Sequence, residues 1–223
     1  MAAQRQPTDR ETQRYLAAYD LDHSAMGPLI ASGKQHDTYH YGADKVIKVP
    51  KHSVYMQVYG AFSHADIVKD LDLLHAYLPE FVPETTVLAT PQHDGYVIIQ
   101  AYLADARYIT HENFPAVRDD IQRIVSGNRA MIRDHRFSVD FFGNKGLRES
   151  TTAVILRQPH RALINNMMVV TQHGEPAVMI VDTNLSALRF PAGVPGHWFR
   201  WMVDSGCFVL SRVLLQMLFD IGL

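Results

Sequence analysis

The apolar positions of this chain change rhythm near its middle. Up to about residue 102 they fall mostly in short alternating runs bounded by turn residues. Residues 29–33 read as a strand entering a turn. Residues 37–41 read as a second strand, closed by Gly42-Ala43-Asp44, and residues 45–49 as a third, stopped by Pro50. A helix is predicted over residues 61–78, because Ile67, Leu71, Leu74 and Leu78 recur at helical spacing, and Pro79 and Pro83 end it. Residues 85–89 and 96–102 supply two further strands around a turn at Gln92-His93-Asp94-Gly95. Upstream, Thr8-Asp9-Arg10-Glu11 has the form of a capping box, with a helix following through Tyr19. A sheet of about five strands with one helix is an α+β pattern.

After Leu103 the rhythm becomes helical. Val117, Ile121, Ile124, Met131 and Ile132 mark a helix over residues 114–136, weakened at Gly127. Residues 153–156 fit a short strand. A hairpin then joins residues 163–170 to residues 177–184 through Thr171-Gln172-His173-Gly174-Glu175-Pro176. Its second strand is uncharged from Ala177 to Val181 and runs into Asp182, as a strand buried on both faces would. Pro191, Gly193, Pro195 and Gly196 mark a loop, and residues 197–219 read as one or two buried helices. The pattern places a sheet lobe at residues 1–103 and a mainly helical lobe at residues 104–223.

Composition narrows the class without naming a chemistry. The 223 residues are 47% apolar and 20% charged, ordinary for a soluble protein with a real core. A net charge of −2 argues against a nucleic-acid partner or an anionic membrane surface. The one cysteine, Cys207, excludes an internal disulfide framework and fits a reducing, cytoplasmic setting. Twelve histidines are scattered, so a structural zinc site is not expected. No apolar signal core follows the early charges, and residues 207–218 are too short a run to span a membrane.

Four polar residues sit where apolar neighbours demand a reason. Lys48 is enclosed by Val46, Ile47 and Val49, although an edge-strand lysine facing water would look the same. Asp182 closes the apolar run, and Asn166 stands at the matching end of the other hairpin strand. A carboxylate beside an amide oxygen is hard-oxygen ligation of the kind magnesium takes when substrate phosphates complete its shell. Asp140 lies between Val139 and Phe141, with a helix or turn cap as the alternative role. Asp70 borders the helical stripe and reads equally as a solvated helix carboxylate.

The order of these parts resembles the protein-kinase-like superfamily, and more closely its small bacterial or aminoglycoside-phosphotransferase-like members. The resemblance covers roughly residues 29–186 and implies a two-lobed α+β fold that binds ATP and Mg2+. Val46-Ile47-Lys48 matches the Val-Ala-Ile-Lys strand, which makes Lys48 the implied phosphate ligand and puts Val46 at the nucleotide. Ser32-Gly33-Lys34 occupies the place of the glycine-rich loop with one glycine, Gly33. Asp70 takes the place of the helix glutamate that pairs with the lysine. Gln100, Ala101 and Tyr102 match the hinge, whose backbone would meet the adenine edge, and Met168 would lie under the adenine. Asn166 and Asp182 match the metal-binding asparagine and aspartate, the latter in Asp-Thr-Asn rather than Asp-Phe-Gly. The catalytic aspartate matches Asp140 in a shortened loop running to Asn144; the alternative is the His160-Arg161-Ala162 segment, where the counted position is Arg161.

These residues imply transfer of the ATP γ-phosphate to a hydroxyl on an unidentified small-molecule or protein acceptor. A non-catalytic kinase-like nucleotide-binding or scaffold protein is the second reading, suggested by the missing glycines. An α+β interaction domain with no nucleotide is the third.

Overall fold

In the computed structural model the described residues are 10–33, 35–51, 63–90, 93–141 and 166–187, with a few positions among 152–158 and 205–217. The chain divides into two compact units. One comprises Met1–Lys69 and Glu84–Leu103, the other Asp70–Pro83 and Ala104–Leu223.

The first unit is an antiparallel five-stranded sheet. Its strands are β1 (Met26–Ser32), β2 (His36–Tyr41), β3 (Lys45–Pro50), β4 (Thr85–Thr90) and β5 (His93–Ala101), in the order β1-β2-β3-β5-β4. This is the α+β arrangement that the alternation predicts. β5 begins earlier than expected and takes in His93 and Gly95, which the sequence assigned to a turn. Period-two alternation sends Tyr39, Ile47, Val49 and Val97 to one face, where Leu16 and Tyr19 pack on them. Leu16 ends helix α1 (Arg10–Leu16). The other face carries Val46, Lys48, Ile98 and Gln100. Ile67 packs there with Tyr96 and Ile98.

Ile67 belongs to helix α2 (His64–Tyr77), and the division between units falls within this helix. Its expected stripe is observed: Ile67, Leu71, Leu74 and the following Leu78 are all buried.

The second unit is built on helix α3 (Arg118–His135), entered through a 3-10 turn at Phe114–Val117. Ile121, Ile124, Val125, Met131 and Ile132 form its buried side. Gly127 does more than weaken the helix. A Cβ there would lie 2.7 Å from Tyr77 O and 2.5 Å from Leu78 Cδ2, so the glycine permits a close approach. Arg136 ends the helix in the left-handed region (φ 64°), its N–H donating to Ile132 O.

Around α3 stand two small antiparallel sheets. One has three strands, β6 (Arg107–Tyr108), β8 (Met167–Gln172) and β9 (Glu175–Ile180), in the order β6-β8-β9; the other pairs β7 (Phe137–Val139) with β10 (Leu185–Ala187). The hairpin β8–β9 is tighter than the sequence suggests. Its connector shrinks to His173 and Gly174, both at positive φ (52° and 87°), and Thr171, Gln172, Glu175 and Pro176 join the ladder. Val178, Met179 and Ile180 are buried, as the uncharged run requires. Of residues 153–156, expected as a short strand, Ile155 and Leu156 are described, and they stand in a helical turn with Leu156 N on Thr152 O at 2.9 Å. The described positions among 205–217 are helical. Thr8, Asp9, Lys34, Asn144 and the His160-Arg161-Ala162 segment lie outside the described residues.

Candidate functional site

The open end of the hairpin is fixed by backbone pairing. Val181 N donates to Asn166 O at 2.8 Å, which continues the β8–β9 ladder by one step and sets Asp182 immediately after the partner of Asn166. The Asn166 side chain is oriented in turn. Its Nδ2 donates to the backbone carbonyl of Asp140 at 3.1 Å, which leaves the amide oxygen as the end suited to a cation. Asp182 turns back on its own loop: Oδ1 accepts from Asn184 N at 3.1 Å, an Asx-type turn. Three residues chosen from the sequence, Asp140, Asn166 and Asp182, are therefore tied to one locus of the second unit.

Two further contacts hold that locus, and neither was evident from the sequence. β10 pairs with β7, Leu185 opposite Val139, so the residues just after Asp182 run beside the strand that delivers Asp140. Asn128, fully buried on α3, locks the same strand. Its Oδ1 accepts from Val139 N at 2.7 Å and its Nδ2 donates to Ser138 Oγ at 3.3 Å. An asparagine on the apolar side of a helix is the signal that was missed; buried polar groups are retained where they satisfy backbone. Val139 and Phe141 are buried, which matches the apolar setting expected for Asp140, and Asp140 itself is half-buried.

Asp70 differs from the solvated reading. It is 0% exposed, so it is no solvated carboxylate. Its Oδ2 accepts from Leu185 N at 3.1 Å. A buried carboxylate taking a backbone N–H stabilises the segment that follows Asp182.

In the first unit Lys48 is on an inner strand, flanked by β2 and β5, which overturns the edge-strand alternative. It is half-buried and shares its face with buried Val46 and Gln100. Its cation acts on a neighbour: burial of His36 first, then the Lys48 charge, push the His36 pKa down to about 3.

The backbone groups expected to meet the nucleotide are otherwise engaged. Gly33 N donates to His36 O at 2.8 Å, closing the β1–β2 turn. A Cβ on Gly33 would meet only His36 O, at 3.4 Å, so a glycine is not demanded there. Ala101 N donates to Glu84 O at 2.9 Å and Tyr102 N to Asp44 O at 2.7 Å. Gln100 is inside the sheet, its Nε2 on Thr85 Oγ1 at 3.1 Å. The N–H groups of Gly33, Ala101 and Tyr102 thus each have a backbone acceptor within their own unit. Met168, half-buried on β8, pairs with Met179 and Tyr108.

Among the described residues no group of three or more His, Cys, Asp or Glu is placed to hold a metal. Asn166 and Asp182 offer an amide oxygen and a carboxylate, the donor types magnesium takes when water and phosphate complete its shell. Among those residues no helix is long and apolar enough to cross a membrane.

No family model matches the chain, and no curated protein does. Solved structures similar to it are aminoglycoside phosphotransferases. APH(2")-IIia in its GDP and kanamycin complex aligns over 93% of this chain and 86% of that one, at 12% identity and a TM-score of 0.34. The streptomycin–ATP–APH(2")-IIa ternary complex aligns over 96% of each chain, at 10% identity and a TM-score of 0.37. The gentamicin–APH(2")-IIa complex aligns over 94% and 88%, at 12% identity and a TM-score of 0.38.

Proposed function

We propose that the chain is a kinase-like phosphotransferase that moves the γ-phosphate of ATP to a hydroxyl acceptor with magnesium. The observation that supports this best is the tie between Asn166 and Asp140, with Asp182 one step along the same ladder. It joins a candidate base and two oxygen ligands separated by up to 42 positions in sequence, using one side-chain bond and one backbone bond. Asn166 Oδ1 and the Asp182 carboxylate would hold magnesium, which supplies charge neutralisation at the phosphates when bound. Lys48 would bind phosphate oxygens, with Val46 and Met168 as apolar neighbours of the base. Asp140 would orient the acceptor hydroxyl and accept its proton as the new O–P bond forms. Asp70 and Asn128 act on this chemistry through backbone, holding Leu185 and Val139.

The non-catalytic nucleotide-binding or scaffold reading has its own support in the engaged N–H groups of Gly33, Ala101 and Tyr102. Turnover separates the two. ATP consumption with magnesium, assayed against a panel of hydroxyl acceptors that includes aminoglycosides, is expected for the enzyme. Nucleotide binding without turnover would favour the scaffold.

A further inference from the structure

The first unit holds a polar arrangement that this reading does not use. β2 starts at His36, directly after the β1–β2 turn, and the ring of His36 is held from behind. Its Nε2 lies 2.9 Å from Tyr96 Oη, and the two rings meet edge-on with centroids 5.8 Å apart. Tyr96 is itself fixed. It is 1% exposed, its N–H donates to the Tyr15 hydroxyl at 3.0 Å, and its carbonyl accepts from the same hydroxyl at 2.8 Å. The register pairs Thr38 with Lys48, so His36, two residues from Thr38, stands on the face that carries Lys48.

The imidazole is neutral at physiological pH, because burial and Lys48 depress its pKa to about 3. A neutral ring carries one proton. A bare imidazole nitrogen is a better acceptor than a phenol oxygen, which favours donation of the Tyr96 hydroxyl proton to Nε2. With that direction the ring proton is on Nδ1, at the side of the ring away from Tyr96.

We infer that His36 is a second phosphate-binding residue, its Nδ1–H donating to a nucleotide phosphate oxygen alongside Lys48. The inference rests on the phosphotransfer reading above. A neutral donor adds a directional bond without placing a second cation beside Lys48 on a half-buried face. It also supplies at the turn a donor that Gly33 N–H, tied to His36 O, does not.

Calorimetric titration of the full chain with magnesium–ATP and with adenosine tests this. His36→Phe keeps a ring against Tyr96 and removes the donor. It is expected to weaken magnesium–ATP about tenfold while leaving adenosine unchanged. His36→Gln, whose amide can donate, is expected to recover part of the loss. Equal magnesium–ATP affinity in the wild type and both variants would overturn the inference and leave the phosphotransfer reading standing. Equal losses for ATP and adenosine would also overturn it. A wild type that binds neither compound would overturn the reading beneath it. Nitrogen NMR of the nucleotide-free protein reads the tautomer independently. The proton is expected on Nδ1, and a proton on Nε2 would overturn the inference whatever the titrations give.

Discussion

The turn of the first unit and the open hairpin end of the second offer opposite kinds of candidate. At the turn and hinge the expected binding groups are backbone N–H groups, and those of Gly33, Ala101 and Tyr102 are engaged within their own unit. At the hairpin the expected groups are side chains. There Asn166 is oriented by the Asp140 carbonyl and Asp182 by Asn184 N. A side chain announces its chemistry by identity and setting. A backbone donor announces nothing until its partner is known, since every residue except proline has one.

The largest effect is expected at Asp140. Asp140→Asn keeps size and removes the proton acceptor. Turnover is expected to fall by roughly a hundred- to ten-thousandfold, with nucleotide affinity little changed. Unchanged turnover would remove Asp140 from the mechanism and make the hairpin end a binding feature only.

Positioning comes next. Asn128→Ala leaves Val139 N–H buried without its acceptor, at an expected cost of about 1–3 kcal/mol in denaturant unfolding. Gly127→Ala places a methyl within 2.7 Å of Tyr77 O and is expected to destabilise by about 1–3 kcal/mol. Asn128→Ala as stable as the wild type would show that α3 does not fix β7 as described, and Gly127→Ala as stable as the wild type would show that α3 does not approach Tyr77 and Leu78 so closely.

The pH dependence of stability reports on the face shared by His36 and Lys48. Folded His36 takes its proton only near pH 3, against 6.5 when unperturbed. Below pH 6.5 the unfolded chain therefore binds more protons, and stability falls as pH is lowered from 6.5 toward 3. Subtracting the profile of His36→Phe isolates that part of the acid loss. Parallel profiles across this window would mean that His36 titrates normally.

The smallest effect is expected at Gly33. Gly33→Ala should change stability by no more than about 0.5 kcal/mol and leave magnesium–ATP affinity as it was, because the added Cβ has room and the N–H is already engaged. A large loss of ATP affinity would restore the glycine as part of a phosphate cradle.

Much of the fold was legible because its periodicities are clean. The alternation from Asp37 to Val49 gave two strands and their buried face, and the spacing from Ile67 to Leu78 gave the helix. The hairpin turn was harder. Thr171 and Pro176 look like connector residues, yet two positive-φ positions at His173 and Gly174 suffice to reverse the chain. Asp140, Asn166 and Asp182 stood out as polar residues in or beside apolar runs. The solvated reading of Asp70 fails for a physical reason: its partner, Leu185 N, lies 115 residues away, and no local pattern distinguishes a buried carboxylate from a solvated one at the border of a stripe. Asn128 was missed for the same reason, its partners being on a strand too short to show alternation.

The central claim is that Asn166 and Asp182 hold magnesium for a bound nucleotide. Its most direct test is a thermal-shift titration of the wild type and Asp182→Ala with ATP, with and without magnesium. At a hundredfold excess over the dissociation constant, binding should stabilise the wild type by about 2.7 kcal/mol. The magnesium-dependent part of that shift should vanish in Asp182→Ala. An identical magnesium-dependent shift in both proteins, or no shift with any nucleotide in the wild type, would contradict the account.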